Sequence, residues 1–189
     1  MLDILNKNIE EMERKNWNKN KLHIVILFFF GILNSCSEKH YPVFEKNDTI
    51  ECVNFKNTVG YVNDFENIFT KKESDTLFEI ILNHEKKTTN QIVIVSTSNI
   101  ASYKNINDYS LDLANCWGVG VKGKNNGIAI VLSKKLRAMR IQVGDGLLDK
   151  LTNQETKKII DEIIIPDFKE GNYYKGIKNG LEAIISEIE

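Results

Sequence analysis

Asp64, Asn125, Asn126 and Asp145 are the residues whose types and setting could do chemistry. Three of them sit in glycine-rich runs: Gly118-Val119-Gly120-Val121-Lys122-Gly123-Lys124-Asn125-Asn126-Gly127, and Gly144-Asp145-Gly146. Carboxylate and amide oxygens on such loops suit a hard cation such as calcium, which takes oxygen ligands in flexible geometry. Asn, Asp and Gly also serve plain turns, where they satisfy backbone geometry. On the residues alone, two ordinary turns are the simpler reading. Lys122, Lys124 and Asp145, with Asp64 as nucleophile or ligand, are the set a phosphoryl-transfer site could draw on.

Other chemistries lack their residues. The chain has three histidines, His23, His40 and His84. His84 lies beside Glu85 on a polar stretch of a predicted helix and is expected at the surface. There is no GxSxG elbow, GxxxxGK[ST] phosphate loop or GxGxxG fingerprint. Gly118-Val119-Gly120 follows a helix, whereas a dinucleotide site needs a strand before it.

The elements that must position these residues are legible in outline. Thr70-Lys71-Lys72-Glu73 is a capping box, and Leu77, Phe78, Ile81 and Leu82 follow at helical spacing. Gln91 to Ser96 (QIVIVS) reads as a strand covered on both faces. A second helix starts at Asn105 and stops at Gly118 and Gly120. Gly127 to Leu132 (GIAIVL) is a buried strand, and Arg137 to Val143 alternates with period two, as an edge strand does. Their link is too short for a crossover helix, so the two form an antiparallel hairpin. A turn centred on Lys134 and Lys135 sets Asn126 opposite Val143 and Gly144, bringing Asn125 and Asp145 to one end of the sheet. Asp64, after a first short strand, could join them. Thr152 to Glu155 is a second capping box; its helix ends or kinks at Pro166. A last helix from about Asn172 carries Ile177, Leu181, Ile184, Ile185 and Ile188. The result is an α/β fold with a small mixed sheet and helices on both faces.

Upstream, Leu22 to Leu33 (LHIVILFFFGIL) is about twelve residues long, short of the roughly twenty a spanning helix needs. Arg14, Lys15, Lys19 and Lys21 precede it, which is the layout of a secretion signal. Leu33-Asn34-Ser35-Cys36 resembles a bacterial lipobox, with Cys36 as the lipid attachment residue. The expected organisation is a signal peptide over 1–35, a lipid-anchored tether over 36–58 and a domain over 59–189. Residues 1–11 are partly acidic and suit a signal poorly, so Met12 is the expected true start. The expected setting is the cell envelope, the domain outside the cytoplasm and membrane lipid a partner through Cys36. Residues 36–189 carry 20 basic and 22 acidic residues, with no basic excess to point to nucleic acid. Cys52 and Cys116 could bond in an oxidising compartment or stay free; two free thiols are the expectation.

Val62-Asn63-Asp64, Ile92-Val93-Ile94-Val95, Trp117-Gly118-Val119-Gly120, Asn126-Gly127, Ile141 to Leu147 (IQVGDGL) and Ile165 to Tyr173 (IPDFKEGNY) occur in the order of the TPM domain. From about Val59 to Ile188 the chain resembles that family. The resemblance implies a three-layer α/β/α sandwich, held outside the cytoplasm on a membrane. It implies calcium binding in some members, and photosystem repair and acid phosphatase activity in plant thylakoid members. Many bacterial members add a C-terminal membrane helix and a glycine-rich tail. This chain reaches Glu189 with neither, which makes Cys36 the expected anchor. Similar members often read Asp-Asn-Gly where Asn125-Asn126-Gly127 stands. They often read Gly-Tyr-Gly-Leu-Glu where Gly144-Asp145-Gly146-Leu147-Leu148 stands. Each difference removes a carboxylate, Asp145 restores one, and Asp149 is close. The resulting expectation is a binding or maintenance module for membrane proteins that binds calcium weakly; a metal-dependent acid phosphatase is the alternative.

Overall fold

A computed structural model describes Cys52 and residues 55–189. The apolar run, Cys36 and most of the predicted tether lie outside the described residues.

Strand β1 (Val62–Asp64) leads into helix α1 (Lys71–Thr88), whose capping box forms as expected: Thr70 accepts from the Glu73 amide and Glu73 reaches back. Strand β2 (Gln91–Ser96) follows, then helix α2 (Ile106–Trp117), capped by Asn105 and stopped by left-handed Gly118. Strands β3 (Gly127–Ser133) and β4 (Ala138–Val143) form the hairpin. Beyond it lie helix α3 (Asn153–Lys158), a π-helical stretch (Ile159–Ile164), helix α4 (Ile165–Lys169) and helix α5 (Tyr173–Ile188).

The sheet order is β1-β2-β3-β4, with the first three strands parallel and β4 antiparallel to β3. Alternation along the strands divides the core in two. Ile92, Ile94, Ile128, Ile130 and Ile141 face α1, α5 and the π-helical stretch. Val93, Val95, Ala129 and Val131 face α2 through Tyr109, Leu113 and Trp117. This is the three-layer α/β/α sandwich. The hairpin register differs from the expectation by two residues: Ile128, not Asn126, pairs with Val143. Four residues turn the corner instead of two, the last being Arg137 in a left-handed conformation (φ 50°). An even slip keeps every side chain on its expected face.

Pro166 does not end its helix. The chain widens into π geometry over the six residues before α4, with the Ile165 amide reaching back to the Ile160 carbonyl. That widening brings helical backbone up to a proline that cannot donate. His84 departs from its expectation. It is 3% exposed rather than at the surface, because Asn90 and the end of α5 at Glu189 fold over it.

The two cysteines also differ from the expectation: Cys52 and Cys116 are disulfide-bonded, with Cα atoms 5.7 Å apart. The last part of the predicted tether accordingly lies on the α2 face. Trp117 Nε1 donates to the Lys56 carbonyl at 3.1 Å, and Phe55 stacks near Tyr103 and Tyr109.

The parallel crossovers carry one further consequence. β1 to β2 and β2 to β3 step the same way across the sheet, yet α1 and α2 cover opposite faces. The two crossovers must therefore differ in hand, although such connections are right-handed in about 98% of cases. The chain leaves β1 and β2 towards opposite faces at their carboxyl ends, the place where open α/β sheets commonly bind ligands.

Candidate functional site

Asp64 and Ser96 end β1 and β2 side by side. Asp64 Oδ1 accepts from the Ser96 hydroxyl and from the Ile68 amide at 3.1 Å, and Oδ2 accepts from the Phe69 amide at 2.8 Å. Ser96 Oγ accepts in turn from the Glu66 amide at 3.0 Å. The carboxylate thus clamps the loop that leads into α1.

Asn125, Asn126 and Asp145 come together at the other end of the sheet. Asp64 pairs with Ser96, five residues along β2 from Gln91, which pairs with Gly127. At about 3.3 Å per strand residue, Asp64 is some 17 Å from the other three. The structure therefore assembles three of the four sequence-selected residues and leaves Asp64 out.

The corner is built from main chain held at close quarters. The Gly144 amide donates to the Gly127 carbonyl at 2.8 Å and the Gly146 amide to the Asn125 carbonyl at 3.1 Å. A Cβ on Gly127 would lie 2.0 Å from the Val119 carbonyl oxygen, and one on Gly146 would lie 1.9 Å from that of Lys124. Only glycine admits these approaches.

Asn126 is buried beneath the corner and its amide is fully engaged. Its Oδ1 accepts from the Val121 amide at 2.9 Å; its Nδ2 donates to the Thr89 carbonyl at 2.9 Å and to Asn90 Oδ1 at 3.1 Å. Gln91 Oε1 accepts from the Gly120 amide at 2.9 Å, and Lys124 Nζ donates to Thr89 Oγ1 at 3.1 Å. Thr89, Asn90 and Gln91 are site-forming residues that the sequence reading missed. Their one local signal is a pair of amide side chains at the mouth of an otherwise apolar strand.

Asn125 and Asp145 instead line an open cleft of about 330 Å³, with Leu111, Ala114, Asn115 and Val119 on one wall and Gln142 and Gly144 on the other. Leu111 is 44% exposed, one of few large apolar side chains left in water among the described residues. The C-terminal end of α2, where backbone carbonyls run out of helical partners, adds a partial negative field. Asp145 is the one carboxylate in this lining. No group of three or more His, Cys, Asp or Glu that could hold a metal occurs among the described residues. With Asn126 committed and Asp64 remote, the four selected residues do not make a shared cation site. What the cleft presents is a mixed surface of amides, one carboxylate and one exposed leucine.

A mixed four-stranded sheet between helical layers, with a glycine-built cleft at one end, defines an α/β/α sandwich domain. The TPM domain model matches residues 62–187, and the chain belongs to that family. Three solved structures share the fold. The N-terminal domain of a protein from P. gingivalis has a TM-score of 0.61 at 26% identity, covering 67% of this chain and 80% of that one. The BA42 protein of Bizionia argentinensis has a TM-score of 0.54 at 20% identity, covering 66% and 83%. The N-terminal domain of the cg2496 protein of Corynebacterium glutamicum has a TM-score of 0.54 at 13% identity, covering 68% and 80%. No curated protein sequence matches the chain.

Proposed function

We propose that this TPM-domain protein is a lipid-anchored, non-enzymatic module of the bacterial cell envelope that binds membrane proteins through the cleft between α2 and β4. The observation that carries the reading is the cleft itself. Its floor is main chain fixed by glycine contacts, so little order is lost on binding, and preformed sites gain affinity in that way. Its wall presents Leu111 beside Asn115, Asn125, Gln142 and Asp145, an apolar anchor within a polar rim. The Cys52–Cys116 bond supports the extracytoplasmic setting, because disulfides persist in oxidising compartments. Cys36 supplies the proposed membrane attachment.

Affinity purification from detergent extracts, run in parallel with a Leu111→Asp variant, tests this function. The expected result is a reproducible membrane protein recovered by the wild type and lost from the variant. Recovery of the same proteins by both, or of none, would overturn the role of the cleft. Anchoring has its own test: Cys36→Ser is expected to move the chain into the soluble fraction, and retention in the membrane fraction sinks the anchor.

Calcium enters this reading as a weak ligand of Asp145 and Asn125, at about the millimolar affinity of sites with few charged ligands. Calorimetry that shows no heat at such concentrations removes it. The alternative of a metal-dependent phosphatase needs Asp64 as nucleophile or ligand, and both Asp64 oxygens are engaged in the clamp. Equal phosphoester turnover in wild type and Asp64→Asn would exclude that role.

A further inference from the structure

The hairpin turn, at the opposite end of the sheet from the cleft, borders a second cavity of about 390 Å³ between β4 and the α4–α5 junction. That volume falls within the usual range for small-ligand pockets. Its walls are apolar and aromatic: Met139, Ile165, Phe168 and Tyr173, with the two rings 4.6 Å apart. Its charged lining is wholly cationic, Arg137 and Lys169. Lys134 Nζ lies over the Tyr173 ring, 5.2 Å from its centre.

The nearby carboxylates have partners outside the cavity lining; Glu170, beside Lys169, accepts from Asn172 Nδ2 at 3.4 Å. Asp167 is held by Lys175 at 2.7 Å and Asn179 at 3.1 Å. Glu66 accepts the backbone amides of Lys134 and Lys135 at 2.8 and 3.1 Å. Tyr173 is also the first residue of α5, whose N-cap Asn172 makes no side-chain capping bond. The positive end of that helix adds to the field on the same wall.

Arg137 makes the arrangement more than a basic surface. It occupies the left-handed position of the turn, with φ 50°. Glycine or asparagine is the ordinary choice there, and a long side chain is penalised. Strain of this kind gathers at functional sites, and here the strained residue is a cationic one on the cavity lining.

We infer that this cavity binds an anionic amphiphile, with a phosphate or carboxylate head meeting Arg137, Lys169 and Lys134 and an apolar stem lying along Met139, Phe168 and Tyr173. The ligand could come from a bilayer, as an anionic lipid, or from solution. The site is separate from the cleft between α2 and β4 and does not depend on the function proposed for it.

The test titrates the full chain with monomeric dihexanoyl phosphatidic acid and with inorganic phosphate, followed by amide chemical shifts. Saturable shifts at Ala138, Lys169 and Tyr173 are expected for the lipid, with inorganic phosphate binding at least about tenfold more weakly for want of the apolar stem. Arg137→Gly is the decisive variant, because glycine suits the turn and the protein stays folded. Its unfolding midpoint is expected to hold or rise while lipid affinity falls about tenfold or more, the loss of a charge-assisted contact. Sedimentation with phosphatidylcholine vesicles, with and without phosphatidylglycerol, separates the sources. Arg137-dependent association with the anionic vesicles assigns a bilayer lipid; binding of the monomer alone assigns a soluble amphiphile. Absence of saturable shifts, equal lipid affinity in Arg137→Gly, or phosphate binding as tight as the lipid overturns the inference.

Discussion

A methyl group on Gly127 would press 2.0 Å from the Val119 carbonyl oxygen, so Gly127→Ala must drive two backbone segments apart. Gly123 offers a contrast, with φ +80° but no atom within 4 Å of an added Cβ. Gly127→Ala is therefore expected to destabilise by about 3 kcal/mol or more, as severe overpacking does. Gly123→Ala should lose only the left-handed penalty, about 1 kcal/mol. Urea unfolding of both variants checks this; equal losses would mean that the cleft floor yields easily. His84 gives a second prediction at this scale. Burial pushes its imidazole below the ordinary value of 6.5, and Glu189, 3.6 Å away, offsets this only in part. The unfolded chain then binds the proton more readily than the folded one. Stability is full above pH 6.5 and falls as pH drops through that value towards the lowered folded one. His84→Gln should flatten this slope in urea midpoints measured against pH, and an unchanged slope would exonerate His84.

Helix α5 carries its own test. A Cβ on Gly180 would meet Ile164 side-chain atoms at 2.5 Å, and one on Gly176 would meet the Ile164 carbonyl and the Phe168 ring at 2.9 Å. The two glycines stand four apart on the face that abuts the π-helical stretch and α4, so they let that helix come close. Gly180→Ala is expected to destabilise by about 1–3 kcal/mol despite the better helix propensity of alanine. Thermal unfolding that shows a gain would mean that the contact is looser than described. What the sequence disclosed follows the same division. Both threonine capping boxes, the Asn105 cap and the Gly118 stop are local, and each forms where the residues predict. The hairpin register is two residues off because Arg137 takes a conformation that glycine normally signals. The placing of Asp64 depended on sheet order and on which face each crossover takes, neither of which leaves a mark in local spacing. His84 is covered by residues as far away as Glu189, so its own helix face could not reveal its burial.

For the molecule as a whole, the disulfide decides how firmly the entry segment is held. Cys52 and Cys116 are 64 residues apart, and the loop they close includes β1, α1, β2 and nearly all of α2. On the chain-entropy model a loop of that length contributes about 4 kcal/mol by restricting the unfolded state. The same segment also makes noncovalent contacts: the Trp117–Lys56 hydrogen bond, the Val59 amide and Thr58 hydroxyl on Asn63 Oδ1 at 2.7 and 3.2 Å, the rings around Phe55, and the Lys56 ammonium 4.5 Å from the centre of Phe65. The family match begins at residue 62, downstream of this segment. Reduction should therefore leave a folded domain whose global stability is lower by up to about 4 kcal/mol. Urea unfolding with and without dithiothreitol measures the loss, and hydrogen exchange should show it in the slowest amides of the whole domain, with added local opening at 55–60. Cys52→Ala should reproduce the reduced protein and become insensitive to dithiothreitol. A variant still sensitive to reductant, or a wild type indifferent to it, would remove the bond from any part in stability and take away its support for an oxidising compartment.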